Sequence, residues 1–174
     1  IGDEGAKAIA EALKVNAVLT TLVLHSNNIG DEGAKAIAVA LKVNAVLTSL
    51  DLAGNLFSSG IKIGDEGAKA IAEALKVNAV VTVLHLNENQ IGAEGAIAIA
   101  EALKVNAVVT TLDLSFNNIS PEGAIAIAEA LKVNAVLTKL NLKYSYEEYN
   151  SMGDAGGKAV RDAVKDRSGF VLEL

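Results

Sequence analysis

The string Ala-Leu-Lys-Val-Asn-Ala-Val occurs five times, at 12–18, 40–46, 74–80, 102–108 and 130–136. Successive copies begin 28, 34, 28 and 28 residues apart, so the unit is 28 residues with one insertion of six. A second string, Gly-Asp-Glu-Gly-Ala-Lys-Ala-Ile-Ala, recurs unaltered at 2–10, 30–38 and 64–72. So short a unit, carrying one strand pattern and one helix pattern, buries its apolar side only against its neighbours. The repetition therefore predicts a stacked solenoid.

Residues 19–46 show the pattern of one unit. Leu22 and Leu24 alternate with Thr21, Val23 and His25, the two-residue period of a short half-buried strand. Gly30-Asp31-Glu32-Gly33 then opens a helix, with its acids at the positive end of the helix dipole. Ala34, Ile37, Ala38 and Leu41 follow at helical spacing as one apolar stripe. Lys42-Val43-Asn44 closes the helix, with Asn44 expected as a left-handed C-cap. In the fifth unit Ser120-Pro121-Glu122 reads as an N-cap, a proline at the first helical position and an acid.

Taken together, Leu19, Leu22, Leu24, Asn27 and Ile29 spell Leu-x-x-Leu-x-Leu-x-x-Asn-x-Ile. With the downstream glycine and the 28-residue period, this resembles the leucine-rich repeats of the ribonuclease-inhibitor subtype, as in NOD-like receptors and the Ran GTPase-activating protein. The resemblance covers nearly the whole chain. It implies a right-handed α/β horseshoe of five to six repeats, with a parallel concave sheet, convex helices, protein partners and no general catalytic site. Repeats are expected to start near 1, 29, 63, 91, 119 and 152, with Val171-Leu172-Glu173-Leu174 as a sixth strand. Asn27, Asn55, Asn89 and Asn117 occupy the asparagine position, where an amide bonds the backbone of adjoining coils. Ser145 stands there in the fifth unit, so the ladder is expected to fray at that end.

Bulk properties exclude several classes. The net charge is −6 with no polybasic run, which argues against a nucleic-acid backbone as ligand. There is no apolar run long enough to span a bilayer. Cysteine is absent, which removes disulfides, zinc–thiolate sites and a thiol nucleophile, and weakly favours a cytoplasmic protein. No phosphate-binding loop is present, and the only arginines are Arg161 and Arg167. That disfavours a GTPase activator working through an arginine.

Near-identical copies expose the positions that differ. The outward strand residues are Thr21, Val23 and His25, then Ser49, Asp51 and Ala53, then Val83, His85 and Asn87. Thr111, Asp113 and Ser115, then Lys139, Asn141 and Lys143, complete three expected columns, about 4.8 Å per step. His85 between Asp51 and Asp113 is the one constellation that raises catalysis or metal binding. A column presents parallel rather than convergent ligands, so polar recognition is preferred, with no cofactor or metal expected.

Insertions near 56–62 and 144–151 bring in Phe57, Tyr144, Tyr146 and Tyr149, with Phe116 on the intervening unit. Aromatic residues on strand-to-helix loops suit a partner-binding edge, or fold back over their own repeat. On the helical side, Ile97 and Ile125 replace Lys7, Lys35 and Lys69. Tighter helix contacts are the favoured explanation. The chain starts partway through a unit, which suggests a piece of a longer array, with weak self-association through an uncapped N-terminal end.

The preferred reading is a non-enzymatic, protein-recognition domain. Its contact residues would be Asp51, Phe57, His85, Asn87, Asp113, Phe116, Lys139, Asn141, Lys143, Tyr144, Tyr146 and Tyr149. The alternative is a structural or engineered consensus-like scaffold without a selected ligand. An enzyme-regulating protein ranks third.

Overall fold

A computed structural model describes residues 1–54, 60–143 and 151–174. Asn55, Phe57, Tyr144, Ser145, Tyr146 and Tyr149 lie outside the described residues. Among the described residues helices and strands alternate: α1 (Gly2–Val15), β1 (Thr21–Val23), α2 (Asp31–Leu41), β2 (Ser49–Asp51), α3 (Asp65–Leu75), β3 (Val83–His85). They continue as α4 (Ala93–Leu103), β4 (Thr111–Asp113), α5 (Ser120–Leu131), β5 (Lys139–Asn141), α6 (Gly153–Val164) and β6 (Val171–Glu173). The strands form one parallel sheet in chain order, and all five pairings are in register. The fold is an α/β solenoid with one strand and one helix per coil.

The core lies between sheet and helices and repeats once per coil. Leu50, Leu84, Leu112 and Leu140 form one fully buried row from β2 to β5. Opposite them lie Ile37, Ile71, Ile99 and Ile127, each without exposed surface. Burying one such side chain contributes about 1.5–3 kcal/mol, and the sum is distributed evenly along the stack. Ala34, Ala68, Ala96 and Ala124 keep neighbouring helices close. A Cβ added at Gly67 would lie 2.9 Å from the Ala34 Cβ and 2.8 Å from an Asp31 carboxylate oxygen. Only a residue without a side chain permits that approach.

Polar groups follow the same period. The Asp3 carboxylate accepts from the Gly30 and Gly33 N–H groups of the next coil at 2.8 and 2.9 Å. Asp31 does so for Gly64 and Gly67, and Asp65 for Gly92 and Gly95, so each acid caps the next helix rather than its own. Ala93 and Pro121 end this series. The hydroxyls of Thr48, Thr82, Thr110 and Thr138 donate to the threonine carbonyl of the preceding coil.

Three expectations require correction. Asn44 is not a left-handed C-cap: it is buried, and no positive φ occurs there. Its amide donates to the Leu13 and Asn16 carbonyls while its oxygen accepts from the Val46 and Leu47 N–H groups. A four-bond side chain stitches the coil more effectively than a left-handed turn. Ser120 does not cap α5 by its side chain; its hydroxyl donates to the Glu122 carboxylate at 2.6 Å. That hydrogen bond holds the Glu122 carboxyl below its ordinary range. Ile97 and Ile125, 39 and 42% exposed, stand outward on α4 and α5 rather than inserted between the helices.

Candidate functional site

The sheet face turned away from the helices carries the residues that vary. Its middle column is Val23, Asp51, His85, Asp113, Asn141 and Glu173, each paired with the next by strand register. A parallel strand alternates its side chains, so the buried leucine between two outward residues fixes both of them outward. Thr21, Ser49, Val83, Thr111, Lys139 and Val171 form the column beside it.

Several of these side chains are already engaged. One Asp51 oxygen accepts from the Ala53 N–H at 2.9 Å. The other lies 4.0 Å from His85 Nδ1, the reach of an ion pair when the ring is protonated. Asp113 accepts from both the Ser115 N–H and its hydroxyl, at 2.9 and 2.6 Å. Its second oxygen takes the Asn141 amide at 3.1 Å, and the Asn141 oxygen accepts from the Lys143 N–H. Asp51, Asp113 and Asn141 thus share a local turn that ends the strand, a role the outward pattern did not reveal. The signal was available: all three are short Asx side chains two residues before the bonded N–H.

The remaining expected contacts divide by position. The structure brings Asp51, His85, Asp113 and Asn141 onto neighbouring strands. Lys139 flanks them, exposed, with its ammonium 3.5 Å from the Glu173 carboxylate. Asn87 is half-buried and Lys143 exposed, while Ser115 between them is only 2% exposed. Phe116 is half-buried in a left-handed conformation, φ 54°, and its N–H donates to the Lys143 carbonyl. Phe57, Tyr144, Tyr146 and Tyr149 lie outside the described residues. Glu173 was missed as a site residue, although the alternation in Val171-Leu172-Glu173 marks it as outward.

The asparagine position is hydrogen-bonded at each coil where the structure describes it. Asn89 donates to the carbonyls of Leu52, Leu86 and Asn87 and accepts from the Ile63 N–H at 3.1 Å. Asn117 repeats the arrangement with Leu86, Leu114, Ser115 and Ile91. Asn27 accepts from the Ile1 amino group, at the position of Ile63 and Ile91, and donates within its own coil to the Leu24 and His25 carbonyls.

Chemically, the face offers parallel polar side chains. Among the described residues, no group of three or more His, Asp or Glu is arranged to hold a metal ion. Arg167 is committed elsewhere: its guanidinium donates to the Leu137 carbonyl and lies 4.6 Å over the Phe170 ring. No helix among the described residues is long and apolar enough to cross a membrane.

Comparison with known proteins agrees with this architecture. A family model described as leucine-rich repeat matches residues 15–38, 43–72, 77–100 and 105–128. Among solved structures, the chain is similar to actin-binding site 2 of leiomodin-1, with 26% identity and a TM-score of 0.71. That similarity covers 90% of this chain and 85% of the other. No curated protein matches it in sequence.

Proposed function

Because the chain belongs to the leucine-rich repeat family, we propose that it is a protein-recognition module that binds through its sheet face and carries no catalytic activity. One observation carries this reading. A polar column five residues long, Asp51 to Glu173, runs across adjacent strands on a face that no helix among the described residues covers. The leiomodin domain it resembles is titled an actin-binding site, which supports a protein as the class of ligand.

The finer assignment follows from the residues. The repeats are of the ribonuclease-inhibitor subtype, and the sheet face is the concave side of a horseshoe. Asp51, His85 and Asp113 make its middle acidic with one titratable base, whereas Lys139 and Lys143 make the C-terminal part basic. A partner segment with charges in the opposite order fits that face, and charge order sets register and encounter rate more than affinity. Phe57, Phe116, Tyr144, Tyr146 and Tyr149 supply the aromatic margin. The setting is cytoplasmic, and nucleic acid is not a ligand.

The alternative is a spacer scaffold without a ligand. Its support is that Asp51, Asp113 and Asn141 are bonded within the chain. Affinity capture from a cell extract separates the two. The unaltered chain, His85→Glu with Lys143→Glu, and a helix-side control, Glu66→Lys, are compared. A protein retained by the chain and the control but lost from the sheet-face variant supports recognition. Identical retention by all three contradicts it.

A further inference from the structure

Five valines stand in water at the ends of consecutive helices. Val15, Val43, Val77, Val105 and Val133 are 85, 63, 64, 64 and 65% exposed. Each lies between an exposed or half-exposed lysine and the asparagine of the repeated string. In four of the five coils that asparagine is 6% exposed and bonded on both sides of its amide, which fixes the valine outward. The alanines that follow, Ala17, Ala45, Ala79, Ala107 and Ala135, are exposed as well.

Because the helices stack side by side, these residues form a row with one valine per coil. Packed helices are spaced about 8–10 Å apart, so five of them give a strip roughly 35 Å long. Val39, 50% exposed, widens the strip at α2, where the other coils carry Glu11, Glu73, Glu101 and Glu129. The last coil interrupts the row: exposed Asp166 follows Lys165 where the earlier coils place valine after lysine. Nothing in the coil needs an apolar side chain there, since the bonds are made by asparagine. Contiguous exposed apolar strips above a few hundred Å² mark association surfaces.

We infer that the valine row is a self-association surface, joining two copies edge to edge about a two-fold axis at Val77. A second copy is the occupant that the charges favour. The rim pairs Lys14 with Glu11, Lys76 with Glu73, Lys104 with Glu101 and Lys132 with Glu129, at 2.5–2.6 Å. Each of those coils therefore offers one cation and one anion, giving no net attraction to a strongly basic or acidic partner. An antiparallel copy offers the same spacing and the same two charges in reverse. Val15 then faces Val133, Val43 faces Val105, and Val77 meets its equivalent. Both sheet faces remain open, so the dimer is bivalent toward whatever they bind.

Sedimentation equilibrium on the whole chain tests this with Val77→Glu and Val77→Lys. The residue is exposed at a helix end, so both variants keep the parent melting temperature. Each alone is expected to weaken self-association at least tenfold, because like charges meet on the axis. An equimolar mixture is expected to restore the dimer, because opposite charges then meet. A parent chain that stays monomeric at high micromolar concentration overturns the inference. So does a dimer indifferent to either substitution, which would place the contact at an end of the stack. A mixture that remains monomeric overturns the two-fold placement.

Discussion

The two edges of the solenoid are both built on asparagine, yet they tolerate change very differently. On the helix-to-strand edge, Asn44, Asn78, Asn106 and Asn134 are equally buried, each donating to two carbonyls of the previous coil and accepting from two N–H groups of its own. On the strand-to-helix edge, Asn89 and Asn117 are buried and bonded across coils, but Asn27 is half-buried and insertions enter near 56–62 and 144–151. The helix-to-strand loop keeps one length in all five coils that carry the repeated string, and in four of them its asparagine is pinned on both sides of the amide. Asn89 and Asn117 bond the preceding coil just as often, so the strand-to-helix edge differs not in the number of bonds but in length, taking up extra residues that are free to carry recognition.

The largest effect expected from this contrast is at Asn78. Replacement by Ala strands the Leu41 carbonyl and the Val80 and Val81 N–H groups, costing about 3 kcal/mol. Asn16 is exposed at the first coil, and Asn16→Ala should cost no more than about 1 kcal/mol. Chemical denaturation measures both; equal losses would break the comparison. On the other edge, Asn89→Ala leaves the Ile63 N–H buried without its acceptor, for about 2 kcal/mol. A loss larger than that at Asn78 would reverse the ranking of the edges.

Gly67→Ala sharpens the same comparison at the helix start. The new methyl meets Ile63 Cγ2 at 2.7 Å and the Asp31 carboxylate at 2.8 Å, so overpacking costs about 1–2 kcal/mol in thermal or chemical denaturation. Asp31→Ala in the same background should add to the loss, because it removes the acceptor of the Gly64 and Gly67 N–H groups.

The smallest effect is electrostatic. The hydrogen bond from Lys69, then its charge, holds the Glu94 carboxyl below the ordinary range. A carboxyl depressed in the folded chain contributes stability above its unfolded pKa and loses it as pH falls through the folded value. The pair is exposed, so Glu94→Gln should only slightly flatten the acid limb of a stability–pH profile. A large change across neutral pH would contradict a surface role.

Much of this fold was legible because repetition removes ambiguity. Leu50 and Leu84 read as inward from alternation alone, and Asp51 and His85 as outward. The sixth strand was readable from the same pattern despite a shortened approach. What escaped were interactions between units. Periodicity says which face a residue occupies but not which atom of the next coil it reaches, so Asp31 bonding Gly64 and Asn44 bonding Leu13 were invisible. Asn44 was read from local capping preference, and a tertiary contact overrode it. In the site, Asp51 and Asp113 were legible as neighbours of His85, but their backbone bonds were not, because an Asx turn and a free carboxylate look alike in sequence.

Strand order is the premise on which the site depends, and the absence of cysteine allows it to be tested directly. Asp51→Cys paired with His85→Cys, and His85→Cys paired with Asp113→Cys, should each close a disulfide under mild oxidation. Adjacent parallel strands lie about 4.8 Å apart, within disulfide reach. Asp51→Cys paired with Asp113→Cys spans two steps, about 9.6 Å, and should stay reduced. Closure of the long pair with failure of the two short ones would contradict the register from β2 to β4, and with it the recognition column.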